Sequence, residues 1–387
     1  MKNLLFVSGF LLAGQLLTTN TYLSPSPYRD VTNTHLISKS TGNTMDGHSI
    51  DIDGDGDIDI VLAMEFQMNK ILINDGTGKL IDESEDRFPS ARHDSEDIAI
   101  ADFDNDGDLD IVFVSEDDQV NEFYQNVGNA QFKAISILDR FRGTSNAVEA
   151  YDFNNDGYTD LLIANAGQNF LLINQSGNVF IDETAERLDA NTYTTQDVEL
   201  ADIDNDGDMD ILEANEAHNR ILINDGNGFF EDQTKSRLPQ LEDQTREVEL
   251  GDIDNDGDLD IHFSNVDFGG FGNPQNRLLR NDGNGIFSEA TELLPVSDFR
   301  TVDADFVDLN NDGFLDILTG NRFNGPEQIV LINQSGRGFV DTTDQYFPSL
   351  NMYPFDFQIA DYNGDGELDI FICGFRGPDK LLFHKAK

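Results

Sequence analysis

Residues 252–261 read DIDNDGDLDI, five aspartates in nine positions with an apolar residue directly behind them. In water, two carboxylates about 5 Å apart repel by roughly 0.8 kcal/mol, and more where solvent is partly excluded. A loop that crowds five of them needs a compensating cation. Nearly the same run occurs seven times: DIDGDGDID from Asp51, DFDNDGDLD from Asp102, DFNNDGYTD from Asp152, DIDNDGDMD from Asp202, DIDNDGDLD from Asp252, DLNNDGFLD from Asp308 and DYNGDGELD from Asp361.

The first aspartates of successive runs lie 50 to 56 residues apart, so the chain is a repeat of about fifty residues. Periods of this size mean solenoids, propellers or arrays. Each unit reads alike. An alternating stretch such as QDVELADI precedes the run, and an apolar one such as MDILEAN follows it. A strand of the type NRILIN, a turn of the type DGNG and a short strand of the type FFEDQT complete the unit. Four strands joined by tight turns make one antiparallel sheet. The expected fold is therefore all-β, a seven-bladed β-propeller with four-stranded antiparallel blades.

The last unit stops after DKLLFHKAK, one strand short, while YRDVTNTHL (28–36) stands alone before the first and resembles the fourth strands FIDETAERL and FEDQTKSRL. The N-terminal strand is expected to complete the last blade, which would leave no exposed sheet edge there. Residues 28–387 then form a single domain. Ahead of it, MKNLLFVSGFLLAGQLL has a lysine and an apolar run of signal-peptide length, so residues 1–20 read as an export signal. Gln15 stands where a lipoprotein cleavage box needs cysteine. With Cys373 alone, no intrachain disulfide can form.

The formal charge of −50 is concentrated in the seven runs rather than spread as in a disordered acidic tail. With 24 Lys and Arg against 74 Asp and Glu, nothing would neutralise phosphates, which argues against nucleic acid and anionic membranes. The 29 phenylalanines speak for a folded core.

The runs share D-x-[DN]-x-D-G-x-x-D, oxygen ligands at alternating positions around a glycine turn, which suits calcium. The expected ligands are Asp51, Asp53, Asp55, Asp57 and Asp59 in the first run and Asp102, Asp104, Asp106, Asp108 and Asp110 in the second. The third offers Asp152, Asn154, Asp156, Tyr158 and Asp160, and the fourth Asp202, Asp204, Asp206, Asp208 and Asp210. Asp252, Asp254, Asp256, Asp258 and Asp260 follow in the fifth, then Asp308, Asn310, Asp312, Phe314 and Asp316, and finally Asp361, Asn363, Asp365, Glu367 and Asp369. Position seven varies from Asp57 to Tyr158 to Phe314, so its backbone carbonyl is the expected ligand. Where position three is Asn154, Asn310 or Asn363, weaker binding is expected.

The start of this pattern is similar to an EF-hand loop, but an EF-hand needs a glutamate at position twelve. Here that position holds Leu62, Phe113, Ile163, Glu213, Phe263, Thr319 and Ile372, and the flanks read as strands. The loops between strands instead resemble the FG-GAP or VCBS repeats of integrin alpha propellers and of many secreted bacterial proteins. That resemblance covers residues 28–387. It implies calcium in the loops as a structural element, and adhesion, glycan binding or, in some polysaccharide lyases, catalysis.

Connections between strands two and three, and between units, lie on the face opposite the acidic loops. In the fifth and sixth units they are long, and Phe268, Phe271, Asn273, Arg322 and Phe323 there suit stacking on a sugar and bonding its hydroxyls. Asp46, Asp97, Asp197, Glu247, Asp303 and Asp356 stand five residues before their runs, with Ala147 the exception. These acids should ring the mouth of a central channel and take a cation or a cationic ligand, or else cap backbone N–H groups between units. The six histidines, His35, His48, His93, His218, His262 and His384, have no metal-ligand spacing, and no nucleophile-elbow or phosphate-loop pattern occurs. The reading is a secreted or surface module that binds a glycan or a surface protein. The alternative is a polysaccharide-active enzyme of the lyase kind on the same propeller.

Overall fold

The computed structural model describes residues 26–37, 42–267, 274–322, 327–347, 350 and 352–385. The export signal expected in residues 1–20 lies outside them, as do Phe268, Phe271, Asn273 and Phe323. The described chain is all-β, built from repeated four-stranded antiparallel sheets. In the fourth unit Thr195–Ala201, Asp210–Asn215, Arg220–Asn224 and Phe230–Asp232 pair in chain order. The third, fifth and sixth units repeat that order. The first two units share one larger sheet, because Asp59–Gln67 also pairs with His93–Ala101, with Glu65 opposite Asp94.

In the last unit Tyr353–Ala360, Asp369–Phe375 and Lys380–His384 are joined by Tyr28–Asp30, whose Tyr28 lies opposite His384. The expected pairing of the two ends is present. Its local chemistry matches that of the fourth strands ending at Asp82, Asp182, Asp232 and Asp341, each of which continues as Asp-x-Ser/Thr. The Thr32 N–H donates to Asp30 Oδ1, and the Leu381 N–H donates to Thr32 Oγ1. The same two bonds recur at Asp182–Thr184–Leu171 and Asp232–Thr234–Ile221. These Asp-x-Ser/Thr turns lead into four-residue helical turns such as Thr184–Arg187 and Thr234–Arg237, which the sequence reading did not anticipate.

First strands lie against one another in chain order, and Tyr353–Ala360 lies against Thr44–Ile50. Apolar side chains fill the spaces between neighbouring units. Ile71 and Ile73 of the first pack with Phe113 and Tyr124 of the second, and Leu212 and Ile221 of the fourth with Ile261 and Phe263 of the fifth. Second strands such as Asp110–Ser115 are buried along their whole length, which explains their continuous apolar runs. Position two of each acidic run (Ile52, Phe103, Phe153, Ile203, Ile253, Leu309, Tyr362) is buried and anchors its loop to the core.

Candidate functional site

The acidic loops fold around their own backbone donors. Asp202 Oδ1 accepts from the Asp206 N–H and Oδ2 from the Gly207 N–H, at 2.9 and 3.0 Å, and Asp206 Oδ1 accepts from the Asp208 N–H. The pattern repeats at Asp102, Asp152, Asp252, Asp308 and Asp361. Gly207 has φ of 99° with nothing near a would-be Cβ, so glycine is needed there for conformation rather than room. Asn205, two residues earlier in the turn, is also left-handed, at 61°. The Gly or Asn at position four is thus a second conformational requirement, one the sequence reading passed over.

Position nine is buried. Asp210 accepts from the Asn224 and Ile203 N–H groups, and burial, with the acids Asp204 and Asp206 adding, pushes its carboxyl up to about 7. Asp59 and Asp160 are bonded in the same manner. These bonds leave lone pairs on the carboxylates for a cation.

Position three points most directly to one. Asp204 Oδ2 binds Arg237 at 2.7 Å and Asp254 Oδ2 binds Arg280 at 3.0 Å, while Asp104 Oδ2 accepts from Gln125. The other oxygen of each carboxylate, Oδ1, is buried without a hydrogen-bond partner, as are Asp53 Oδ1 and Asn310 Oδ1. In four loops three carboxylates bring oxygens within 4.8 Å of one another: Asp51, Asp53 and Asp59; Asp102, Asp104 and Asp106; Asp202, Asp204 and Asp206; Asp252, Asp254 and Asp260. An all-oxygen donor set with a buried, unpartnered atom at position three fits a hard cation such as calcium. Asn154 and Asn363 instead donate to Asp156 and Asp369 within their own loops.

On the opposite side, all seven first strands carry a β-bulge at the same place, between Thr44/Asp46, Ser95/Asp97, Ser145/Ala147, Thr195/Asp197, Thr245/Glu247, Thr301/Asp303 and Pro354/Asp356. A bulge re-aims the side chains around it. Asp46, Asp97, Asp197, Glu247, Asp303 and Asp356 line one central cavity of about 370 Å³. The six acids that stand five residues before their runs thus come together in one cavity. Asp97 Oδ2 accepts from the Val148 N–H and Asp197 Oδ2 from the Val248 N–H, so these two also cap the next unit. Asp303 is 7% exposed, and its Oδ2 has no hydrogen-bond partner.

The cavity holds more charge than the sequence reading gave it. Glu149 and Glu199, two residues further along their strands, line it as well. Burial pushes Glu149 up to about 8, with Asp97 and Asp197 adding to the shift, and burial pushes Asp197 itself up to about 7. Period-two alternation places residues i and i+2 on one face of a strand, and that signal would have found this second tier.

The seven bulge residues, Met45, Glu96, Asn146, Gln196, Arg246, Val302 and Phe355, form the rim. One side is apolar, where Met45, Val302, Phe355 and Phe375 pack together and the Arg322 guanidinium lies 5.3 and 4.8 Å from the two phenyl rings. The other side is polar. Arg246 reaches Gln196 and Glu96, Gln196 donates to Glu216, and Asn146 donates to the Thr195 carbonyl.

The FG-GAP-like repeat matches residues 51–113, 102–163, 152–213, 207–263 and 265–319, more than half of the chain. The chain belongs to the FG-GAP-like repeat family. Among solved structures, BBS1N in complex with ARL6DN is similar over 94% of this chain and 99% of that one. Its lead-soaked form gives 12% identity and a TM-score of 0.58, its mercury-soaked form 13% and 0.60. An Agrocybe aegerita lectin described as recognising non-reducing terminal N-acetylglucosamine matches at 19% identity over 79% of this chain and 82% of that chain, with a TM-score of 0.48. No curated protein matches.

In this FG-GAP β-propeller the rim is the part least visible in sequence. A bulge adds one residue without a composition signal, so Glu96, Asn146, Gln196 and Phe355 were not singled out. Phe66 was missed as well. It lies in a register shift between Glu65 and Gln67, has φ of 54° and is 54% exposed. An exposed aromatic held in the left-handed region points to a functional constraint. His48 lines the cavity, and burial lowers its basicity.

Proposed function

We propose that this FG-GAP propeller is a calcium-loaded, closed ring of seven blades spanning residues 28–387, exported by its N-terminal segment, and that it binds a glycan or a surface protein at its central mouth. The observation that carries the binding reading is the rim of seven bulge residues, three apolar with Phe355 the aromatic one, and four amide or charged. Pyranose rings need an apolar face to stack on and amide or carboxylate groups for their hydroxyls, and a peptide segment of a surface protein needs the same pair. Calcium in the loops is supported by the five buried, unpartnered oxygens at position three. Ring closure is supported by the pairing of Tyr28–Asp30 with Lys380–His384.

The acids beneath the rim suit a cation or a ligand's amino group. They also supply paired carboxyls of raised pKa, which keeps the lyase-like alternative open to the same experiment. Chain lacking residues 1–20 is passed over immobilised polysaccharides and glycans in millimolar calcium, and soluble products are assayed in the same wells. Retention without product, lost on Phe355→Ala, is the expected result. Product release would replace the binding module by the enzyme, and silence across the panel would move the search to protein partners.

A further inference from the structure

We propose that Asp94, Glu96 and Glu116 form a separate site for a hard divalent cation at the channel mouth, independent of the seven acidic loops. One oxygen of each carboxylate lies within 4.8 Å of an oxygen of the other two. None of the three belongs to a D-x-[DN]-x-D run, and the site lies on the face opposite those loops. Among the described residues, the nearby positive charge in ion-pair range is Arg246, whose Nη2 is 3.5 Å from Glu96 Oε2.

The second observation is an orphaned atom within the cluster. Asp94 is 2% exposed. Its Oδ2 accepts from the Asp117 N–H at 2.9 Å, and its backbone carbonyl accepts from the Glu116 N–H at 3.2 Å. Its Oδ1 is buried and has no hydrogen-bond partner. Asp94 therefore holds the backbone that presents Glu116, while one of its own lone pairs goes unused beside two further carboxylates. Buried acceptors are almost always satisfied, and an exception among like charges is what a cation would resolve.

Strand pairing builds the cluster. The link between Asp59–Gln67 and His93–Ala101 sets Glu65 opposite Asp94, and the bulge at Ser95/Asp97 turns Glu96 to the rim. The donors are carboxylate oxygens only, which favours calcium or manganese over zinc or copper. Glu96 and Glu116 line a rim cavity of about 270 Å³ together with Arg322 and Phe375. An ion held there keeps coordination positions open toward that cavity, for water or for hydroxyl or carboxylate oxygens of a bound ligand.

The test counts ions on the intact chain. Bound calcium is measured after equilibrium dialysis for the parent chain and for Glu116→Gln, with Glu96→Gln as a second variant. Each variant should bind one equivalent fewer than the parent. If the loops take no calcium, the parent total collapses but the difference of one equivalent persists, so the two readings fail separately. An unchanged count in both variants overturns the proposal. Folding is controlled by melting in chelator, where removing one of three crowded carboxylates should leave the transition unchanged or raise it. Crystals soaked in manganese should show anomalous density beside Asp94, and density confined to the loops would also overturn the site.

Discussion

Tyr28 lies opposite His384, three hundred and fifty-six positions along the chain, with the two rings edge to face at 5.3 Å. Tyr28 also stacks on Phe347 at 5.6 Å and is almost fully buried. Truncating a buried aromatic costs roughly 3–5 kcal/mol. Tyr28→Ala should therefore lower the urea midpoint of the whole chain in one cooperative step. A loss confined to a small separate transition would show that the two ends do not support the rest.

Calcium should hold this fold together. If free calcium stands tenfold above the dissociation constant, each loop contributes about 1.4 kcal/mol, and seven independent loops roughly 10 kcal/mol. Chelation should lower the melting temperature sharply, and Asp104→Ala should remove about one loop's share of the calcium-dependent part. A melting temperature indifferent to chelator would refute loop binding.

Arg237 ties neighbouring units to one loop. Its Nη1 donates to the Asn284 and Gly285 carbonyls at 2.8 and 3.2 Å, and its Nη2 to Asp204 at 2.7 Å. Charged hydrogen bonds of this kind contribute about 1.5–3 kcal/mol. Arg237→Ala should cost about 2–3 kcal/mol by urea denaturation, and Arg237→Lys should recover only part because lysine lacks the planar fork. A loss under 0.5 kcal/mol, a magnitude typical of unremarkable surface positions, would deny the tie.

The channel acids set a pH dependence. Burial raises Asp197 and Glu249 to about 7 and Glu149 to about 8, and holds Asp303 well above the usual carboxylate range. A folded-state pKa above the unfolded one means that the folded chain holds more protons, so stability falls as pH rises through that value. In saturating calcium, melting should rise by a few degrees from about pH 8 to about pH 6. Acids with lowered pKa, such as Asp82 and Asp232, act below that window. Asp303→Asn should flatten the slope, and a slope unchanged by it would place the pH dependence elsewhere.

The sequence made the sheets legible because one glycine-bearing run marked every turn between strands one and two, and the strands around it alternate or run apolar. It also placed the six ring acids, since a fixed offset from the run is a fixed height in the sheet. It could not show the bulges, because Ser145, Thr195 and Thr245 look like ordinary strand residues until their hydroxyls meet Asn165, Asn215 and Asn265. The cluster around Asp94 depends on a pairing between two units, which no single repeat encodes. Turns such as Thr234–Arg237 are too short for helical periodicity to register.

The seven bulges separate what a residue does for the sheet from what it contributes to the central cavity. Each extruded side chain lies beyond the pairing register, while Ser145, Thr195, Thr245 and Thr301 beside it stay locked to an asparagine of the next strand. Six of the seven extruded side chains are nevertheless buried, and Met45, Val302 and Phe355 share one apolar cluster, so the rim is packed as a set and its members change together. A library varied at the polar positions Glu96, Asn146, Gln196 and Arg246 should therefore yield folded chains more often than one varied at Met45, Val302 and Phe355, where each new side chain must fit the others.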